Sequence, residues 1–348
     1  MKKISYIILS LFLIIIIFFY WYTSNINYEN NIKSGYVNFT IGTKDSNTQI
    51  LNDLKSQKLI SSTKASLIYL YVQVPLFSFY PGEYRVYKKE NFSQLITTFS
   101  RGPFYKKIII PSGLRISEEA NVVRNELSVN NSYYQFSTTD YRNIAHNLYR
   151  QYYNFDFFKY IPENSSLEGF LYPGSYEIPF NANAKYVINL ELKAFDKYIF
   201  HKYKGLMLSG SDQLSLYQNM IIASIVRRET LYNSDKPIVA NIFIRRYLSG
   251  IPLGSDVTVQ YALGFDPSSN SWWRSPLTQS DLEINSPYNT RLYAGLPPTP
   301  ICSPGYNSII STFKSTPNKY LFFIADKEGH LHYAVNLSGQ NANIAKYL

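Results

Sequence analysis

A single cysteine, Cys302, excludes an internal disulfide in this chain of 348 residues. Four scattered histidines supply no zinc-ligand set. His330 and His332 lie two apart in a strand-like stretch and read as one exposed strand face, so no metal site is expected. Acidic residues are also scarce: 24 Asp+Glu stand against 34 Lys+Arg, a formal charge of +10. Such an excess favours an anionic partner, whether acidic lipid, nucleic acid or an acidic polymer. No RNP pattern, zinc-finger spacing or basic helix-turn-helix is present, which leaves nucleic acid without support. No internal repeat is evident. Charged residues make up 17% and hydrophobic residues 45% of the chain, which excludes general disorder, and the length allows two domains with real cores. Abundance lies elsewhere, in 33 Tyr and 22 Phe. These suit carbohydrate stacking, within a bias towards Asn, Ile, Lys and Tyr that runs through the whole sequence.

Only one apolar run is long enough to span a bilayer. Ile4 to Tyr22 carries no charge and would extend about 28 Å as a helix. Lys2 and Lys3 precede it, and Phe18 to Tyr22 close it with an aromatic belt. The positive-inside rule puts residues 1–3 in the cytoplasm and the body outside. A cleavable signal peptide needs a small-x-small site, and Tyr-Trp-Tyr-Thr-Ser-Asn offers none. The expectation is therefore an uncleaved single-pass anchor over 4–22, followed by a polar tether over 23–34.

Alternation and turn residues predict an α+β body. Strands are expected at Tyr36–Ile41, Tyr84–Tyr87, Lys106–Ile110, Tyr320–Ala325 and Leu331–Val335. Helices are expected at Asn47–Gln57, Thr63–Tyr71, Asn91–Ser100, Ser117–Leu127, Asp140–Tyr160, Lys185–Lys202, Asp212–Thr230 and Tyr306–Lys314. Asp235 reads as the cap of a further helix, with Pro237 in its first turn and Gly250 past its end. Ile251–Ser255 reads as a Gly/Pro hairpin, followed by a loop-rich stretch to Pro304.

The helix before Thr230 holds the sharpest chemical signal. Leu214, Tyr217, Ile221, Ile222 and Ile225 form an apolar stripe at helical spacing, and Glu229 continues it while Arg227 and Arg228 point elsewhere. A carboxyl at the end of an apolar face is poorly solvated as an anion, so its pKa should rise, as a general acid requires. The alternative is a helix-end Glu that reaches water or pairs with an arginine.

Four segments add context: Leu167-Glu168-Gly169 with Tyr172-Pro173; Ala223-Ser224-Ile225-Val226 with Glu229; Ser255-Asp256-Val257-Thr258-Val259-Gln260-Tyr261; and Ser286-Pro287-Tyr288-Asn289-Thr290 leading to Gly295-Leu296-Pro297-Pro298 and Ser303-Pro304-Gly305. In that order they resemble the endolytic murein transglycosylases of the YceG-like family, and the resemblance runs through nearly the whole chain. It implies a single N-terminal transmembrane helix, a small LysM-like α+β subdomain over 35–105, and a larger α+β catalytic domain over 106–348 with an open substrate groove. It also implies cleavage of nascent peptidoglycan strands outside the cytoplasmic membrane, without water, to leave 1,6-anhydro-N-acetylmuramic acid ends. The family's catalytic Glu carries over to Glu229. No cofactor is implied. The partners implied are glycan strands, the membrane and peptidoglycan synthases (penicillin-binding proteins). The chain departs from the family pattern at Arg227 (Glu in the family), Gly174 (Asp), Val257 (Pro), Thr299 (Gly) and Gln340 (His).

Around Glu229 the expected substrate contacts are Tyr288, Asn289, Asp256, Gln260, Glu168 and Asn336. Tyr288 and Asn289 suit sugar stacking and amide hydrogen bonding, against the alternative of turn chemistry. Asp256 reads equally as a helix cap. Glu168 reads as a residue holding loop backbone, or as the second acid of a water-using muramidase. Gln260 and Asn336 suit acetamido contacts. Two other readings stay open at this point: that muramidase, and a tethered glycan-binding scaffold without catalysis.

Overall fold

The structure, a computed structural model, describes residues 2–42, 44–128, 135–209 and 214–348. It is mixed α and β, mostly helical, with three two-stranded sheets among these residues. The chain divides into two compact units. The first runs to Lys106 and takes back Gln135 and Glu177–Ala182; among the described residues the second holds Lys107–Ser128, Phe136–Tyr176 and Asn183–Leu348.

The first unit opens with helix α1 (Lys2–Ile26). Its segment Tyr6–Ile26 is long and apolar enough to cross a membrane, and its apolar window is not buried by the rest of the chain. The helix runs past Tyr22 into the expected tether because its polar residues bond back along it. Thr23 Oγ1 donates to the Phe19 carbonyl at 2.9 Å, and the Asn25 amide donates to that of Trp21 at 2.7 Å. Strand β1 (Tyr36–Ile41) pairs antiparallel with β2 (Gly82–Tyr87), Tyr36 opposite Tyr87 and Ile41 opposite Gly82. Helices α2 (Asn47–Ser56), α3 (Thr63–Val72) and α4 (Phe92–Ser100) each start at a side-chain cap, from Ser46, Ser62 and Asn91. Each such cap stabilises its helix by about 1 kcal/mol. The core joins the inward residues of the strands, Phe39, Ile41, Tyr84 and Val86, to Leu51, Leu54, Leu95 and Phe99.

Strand β3 (Tyr105–Ile110) pairs with β4 (Gly174–Pro179). Between them lie α5 (Ile116–Ser128), α6 (Thr138–Asn143) and α7 (Tyr149–Tyr152). The single helix expected over 140–160 is broken. A π-helical turn occupies Ile144–Leu148, and a 3₁₀ turn at Asp156–Tyr160 follows an extended link after α7. The break lets Phe157 turn inward, where its ring meets those of Phe170, Phe195 and Phe200 at 4.8–6.2 Å. Helix α8 (Ala184–Phe195) continues through a π-helical turn into α9 (His201–Leu208), longer than its pattern suggested.

Helix α10 (Leu216–Glu229) is the axis of the second unit. Residues 212–213 of its expected span lie outside the described residues; its start is the Ser215/Gln218 capping box. From Leu216 to Val226 every side chain but Gln218 is buried. The helix is thus enclosed on all sides, by α11 (Lys236–Leu248), α12 (Asp256–Leu263) and α14 (Tyr306–Phe313). A one-sided stripe understates this burial. Asp235 occupies the cap position of α11 but makes no capping bond; its carboxylate accepts from the Tyr333 hydroxyl at 2.9 Å. No strands flank 251–255, so the expected hairpin is a loop, turned at Gly254 (φ +65°), whose N–H donates to the Thr290 carbonyl. Short α13 (Gln279–Leu282) follows α12 within the stretch expected to be loop. The hairpin β5 (Phe322–Ala325) and β6 (Leu331–Ala334) carries α15 (Leu337–Tyr347), a helix the sequence reading did not anticipate.

Candidate active site

The buried length of α10 ends where Thr230 turns extended, which leaves Glu229 as the last helical residue and only partly exposed. It lines a cleft of about 440 Å³ with Ser255, Asp256 and Arg291, between Arg246 on α11 and Phe322 and Gln340 of the C-terminal hairpin and helix. Burial is the main force on its carboxyl and lifts it from 4.5 to about 6. The Ser255 hydroxyl, which donates to Glu229 Oε1, pulls the other way; nearby Asp256 raises the value, and Arg291 and Arg228 lower it. A helix C-terminus gives a carboxylate no dipole relief.

The two adjacent arginines are committed elsewhere. Arg227 Nε donates to Ser112 Oγ at 2.8 Å and its Nη2 to the Ser112 carbonyl at 2.9 Å. Its guanidinium packs against Gly113, where φ of +91° and a guanidinium carbon 3.3 Å from any added Cβ both favour glycine. Arg228 lies over the Trp273 ring at 3.8 Å. The departure at Arg227 therefore fastens the Pro111-Ser112-Gly113 link between β3 and α5 to the helix.

Ser255 is fixed from behind. Its N–H donates to Thr290 Oγ1 at 3.1 Å, its carbonyl accepts from Thr258 Oγ1 at 2.7 Å, and the two threonine hydroxyls lie 2.8 Å apart. Asn289 is fully buried and spends its amide on the carbonyls of Leu282 and Ile284, both at 2.9 Å. Its side chain holds a loop, so the expected direct sugar contact gives way to turn chemistry. The Asn289-Thr290 pair thereby sets the hydroxyl that touches Glu229.

The other expected contacts divide. Asp256 lines the cleft and pairs with Arg291. Glu168 is buried away from the cleft lining. Its carboxyl accepts from the Ile116 N–H and the Tyr261 hydroxyl, each at 3.2 Å, and burial lifts it to about 8. That matches loop-holding better than a second acid. Tyr288 is also outside the cleft lining; it bonds Thr299 at 2.8 Å and packs on Tyr261. Gln260 donates to the Arg274 carbonyl, and Asn336 caps α15. These four side chains are bound within the fold instead of converging on Glu229. Sequence reasoning overlooked Ser255, Arg246 and Arg291. Ser255 stood beside Asp256 in a quoted segment, and a hydroxyl preceding a helix-starting Asp was the available signal; nothing marked the two arginines. Cys302 is buried, and burial pushes its thiol up.

The pattern described as the YceG-like family matches residues 39–346. A protein of Streptococcus pneumoniae named endolytic murein transglycosylase is 31% identical over 183 residues, covering 52% of this chain and 32% of that protein. The chain thus matches about a third of that relative's length. A Bacillus subtilis protein of the same name is 26% identical over 321 residues, 90% of this chain and 85% of the relative. The crystal structure of a yceG-like protein from Listeria monocytogenes superposes with a TM-score of 0.57 at 23% identity, covering 89% of this chain and 99% of that one, and shares its fold.

Proposed function

The chain belongs to the YceG-like family, and from that premise we propose that it is a membrane-anchored endolytic lytic transglycosylase of peptidoglycan with Glu229 as its acid and base. The carrying observation is a carboxyl held near 6 on the wall of an open cleft, touched by one hydroxyl, with the side chains of Arg227 and Arg228 bonded or stacked elsewhere. Protonated Glu229 gives its proton to the glycosidic oxygen after an N-acetylmuramic acid residue. The bond between that oxygen and C1 breaks. As carboxylate, Glu229 then takes the proton of the sugar's own C6 hydroxyl as that oxygen closes on C1. Atoms balance with no water added, and one carboxyl serves both steps where a hydrolase uses two. Ser255 keeps one carboxylate oxygen engaged, which favours a single orientation of the other.

The anchor α1 holds this chemistry at the membrane surface, and cutting nascent strands there ends their elongation. Peptidoglycan synthases are the partners this placement suggests. Residues 35–105 act as a LysM-like spacer. The test is digestion of uncross-linked strands by the wild type and Glu229→Gln, read by mass. Anhydro-ended products that vanish in the variant support the reading; water-added reducing ends would instead favour a muramidase using Asp256, the other carboxylate in the cleft.

A further inference from the structure

A second concave surface lies in the same unit and shares no lining residue with the Glu229 cleft. It is an open groove of about 600 Å³ between the end of α7 and the first turns of α8. Its walls carry Tyr152, Tyr153 and Tyr186, the amide of Asn189, and Lys185 and Lys193. Among the described residues no acidic side chain lines it. Tyr152 and Tyr186 are exposed, at 42% and 39%. Large rings in water on neighbouring elements are what a sugar face stacks against. The groove is built, not splayed. The Tyr153 hydroxyl donates to the Lys185 carbonyl at 2.9 Å, and Lys185 Nζ lies 3.6 Å from the centre of the Tyr152 ring. The ammonium thereby lies over one face of the Tyr152 ring, which places the lysine's charge at the groove wall. Two smaller hollows adjoin the groove, one sharing Tyr153, Asn154 and Phe155 with it and carrying Asp156, the other sharing Tyr152, Asn183 and Lys185 and carrying Asp140. The surface thus suits an extended polymer better than a compact molecule.

We propose that this groove is a second binding site for the glycan, taking a stretch of β-1,4-linked N-acetylated sugar that bears carboxylates. Rings supply stacking, the amide matches acetamido groups, and the lysines match lactyl or peptide carboxylates. The proposal rests on peptidoglycan being the substrate. Its consequence is length preference: a strand long enough to occupy groove and cleft together binds more tightly than one filling the cleft alone.

The test uses the full chain in detergent micelles, with Glu229→Gln to keep strands intact. Binding is measured to uncross-linked, peptide-bearing strands of more than ten disaccharides and to a single tetrasaccharide. Tyr152→Ala with Tyr186→Ala should weaken long-strand binding about tenfold and leave the tetrasaccharide unchanged. Tyr152→Phe with Tyr186→Phe, which keeps both rings, should bind like the parent. Lys185→Gln with Lys193→Gln should flatten the salt dependence. In the Glu229-containing enzyme the alanine pair should release anhydro ends from tetrasaccharide at the parental rate. Undiminished long-strand binding by the alanine pair overturns the proposal while leaving the catalytic reading intact. Equal weakening for both ligands also overturns it, since the effect would then reach the cleft. Loss of binding to anionic vesicles with strand binding unchanged would assign the surface to the membrane instead. Failure of the catalytic reading shows separately, as anhydro products that persist in Glu229→Gln.

Discussion

Glu229→Gln should make the protein more stable at neutral pH while removing its activity. Burial lifts the carboxyl from 4.5 to about 6, so the folded state holds this proton more tightly than the unfolded chain. The folded protein keeps that advantage in full below pH 4.5 and loses it as pH rises through about 6. The loss amounts to about 2 kcal/mol. Glutamine has no proton to lose and still offers Ser255 an acceptor. The stability gap between variant and wild type should therefore be small at pH 4, open between about 4.5 and 6, and reach about 2 kcal/mol at pH 7.5. Urea unfolding of the full chain in micelles, followed by tryptophan fluorescence, measures it. Activity of the variant should fall by at least about 10²-fold, the range for a lost general acid. A gap equal at both pH values, or a variant less stable than wild type at pH 7.5, would refute the reasoning. Equal gaps would mean that folding leaves the carboxyl's pKa unchanged, and a less stable variant would mean that the fold stabilises Glu229 as an ion.

Four further outcomes follow from the same geometry. The pH profile of kcat/KM should fall above about pH 6, because the required protonated form is lost as pH rises. Ser255→Ala removes the bond that lowers the Glu229 pKa, so that descending limb should move to higher pH. Asn289→Ala leaves two backbone carbonyls unpaired and should cost about 2 kcal/mol or more in urea unfolding. Arg227→Ala should cost about 2 kcal/mol by freeing the Ser112 junction, with the pH profile of the folded enzyme unchanged.

Much of the fold was legible because local signals coincide with burial. The alternation Tyr36–Ile41 gave β1 with its observed bounds, and the helices expected from Asn47 and Thr63 begin at those residues as α2 and α3. The place of Glu229 at the end of a buried helix was legible through Ile221, Ile222 and Ile225, all buried in α10. Elsewhere tertiary packing decided. Nothing local says that Phe157 will turn inward and break a helix, and the ring cluster that causes it is assembled from distant segments. The direction of an amide was equally hidden. Asn289 has the composition of a sugar contact, yet its partners are carbonyls of its own loop, which only the folded chain brings within reach. Arg291 meets Asp256 across 35 residues of sequence, a pairing that no spacing rule reports. The buried helix end at Glu229 could be read from periodicity, whereas the cleft around it is made by loops and by α15.

The most direct test of Glu229 as proton donor and acceptor is the mass of the products it leaves on uncross-linked glycan strands. Fragments one water lighter than hydrolysis products, ending in the 1,6-anhydro sugar and absent with Glu229→Gln, are the predicted result. Undiminished anhydro ends from the Gln variant would contradict it.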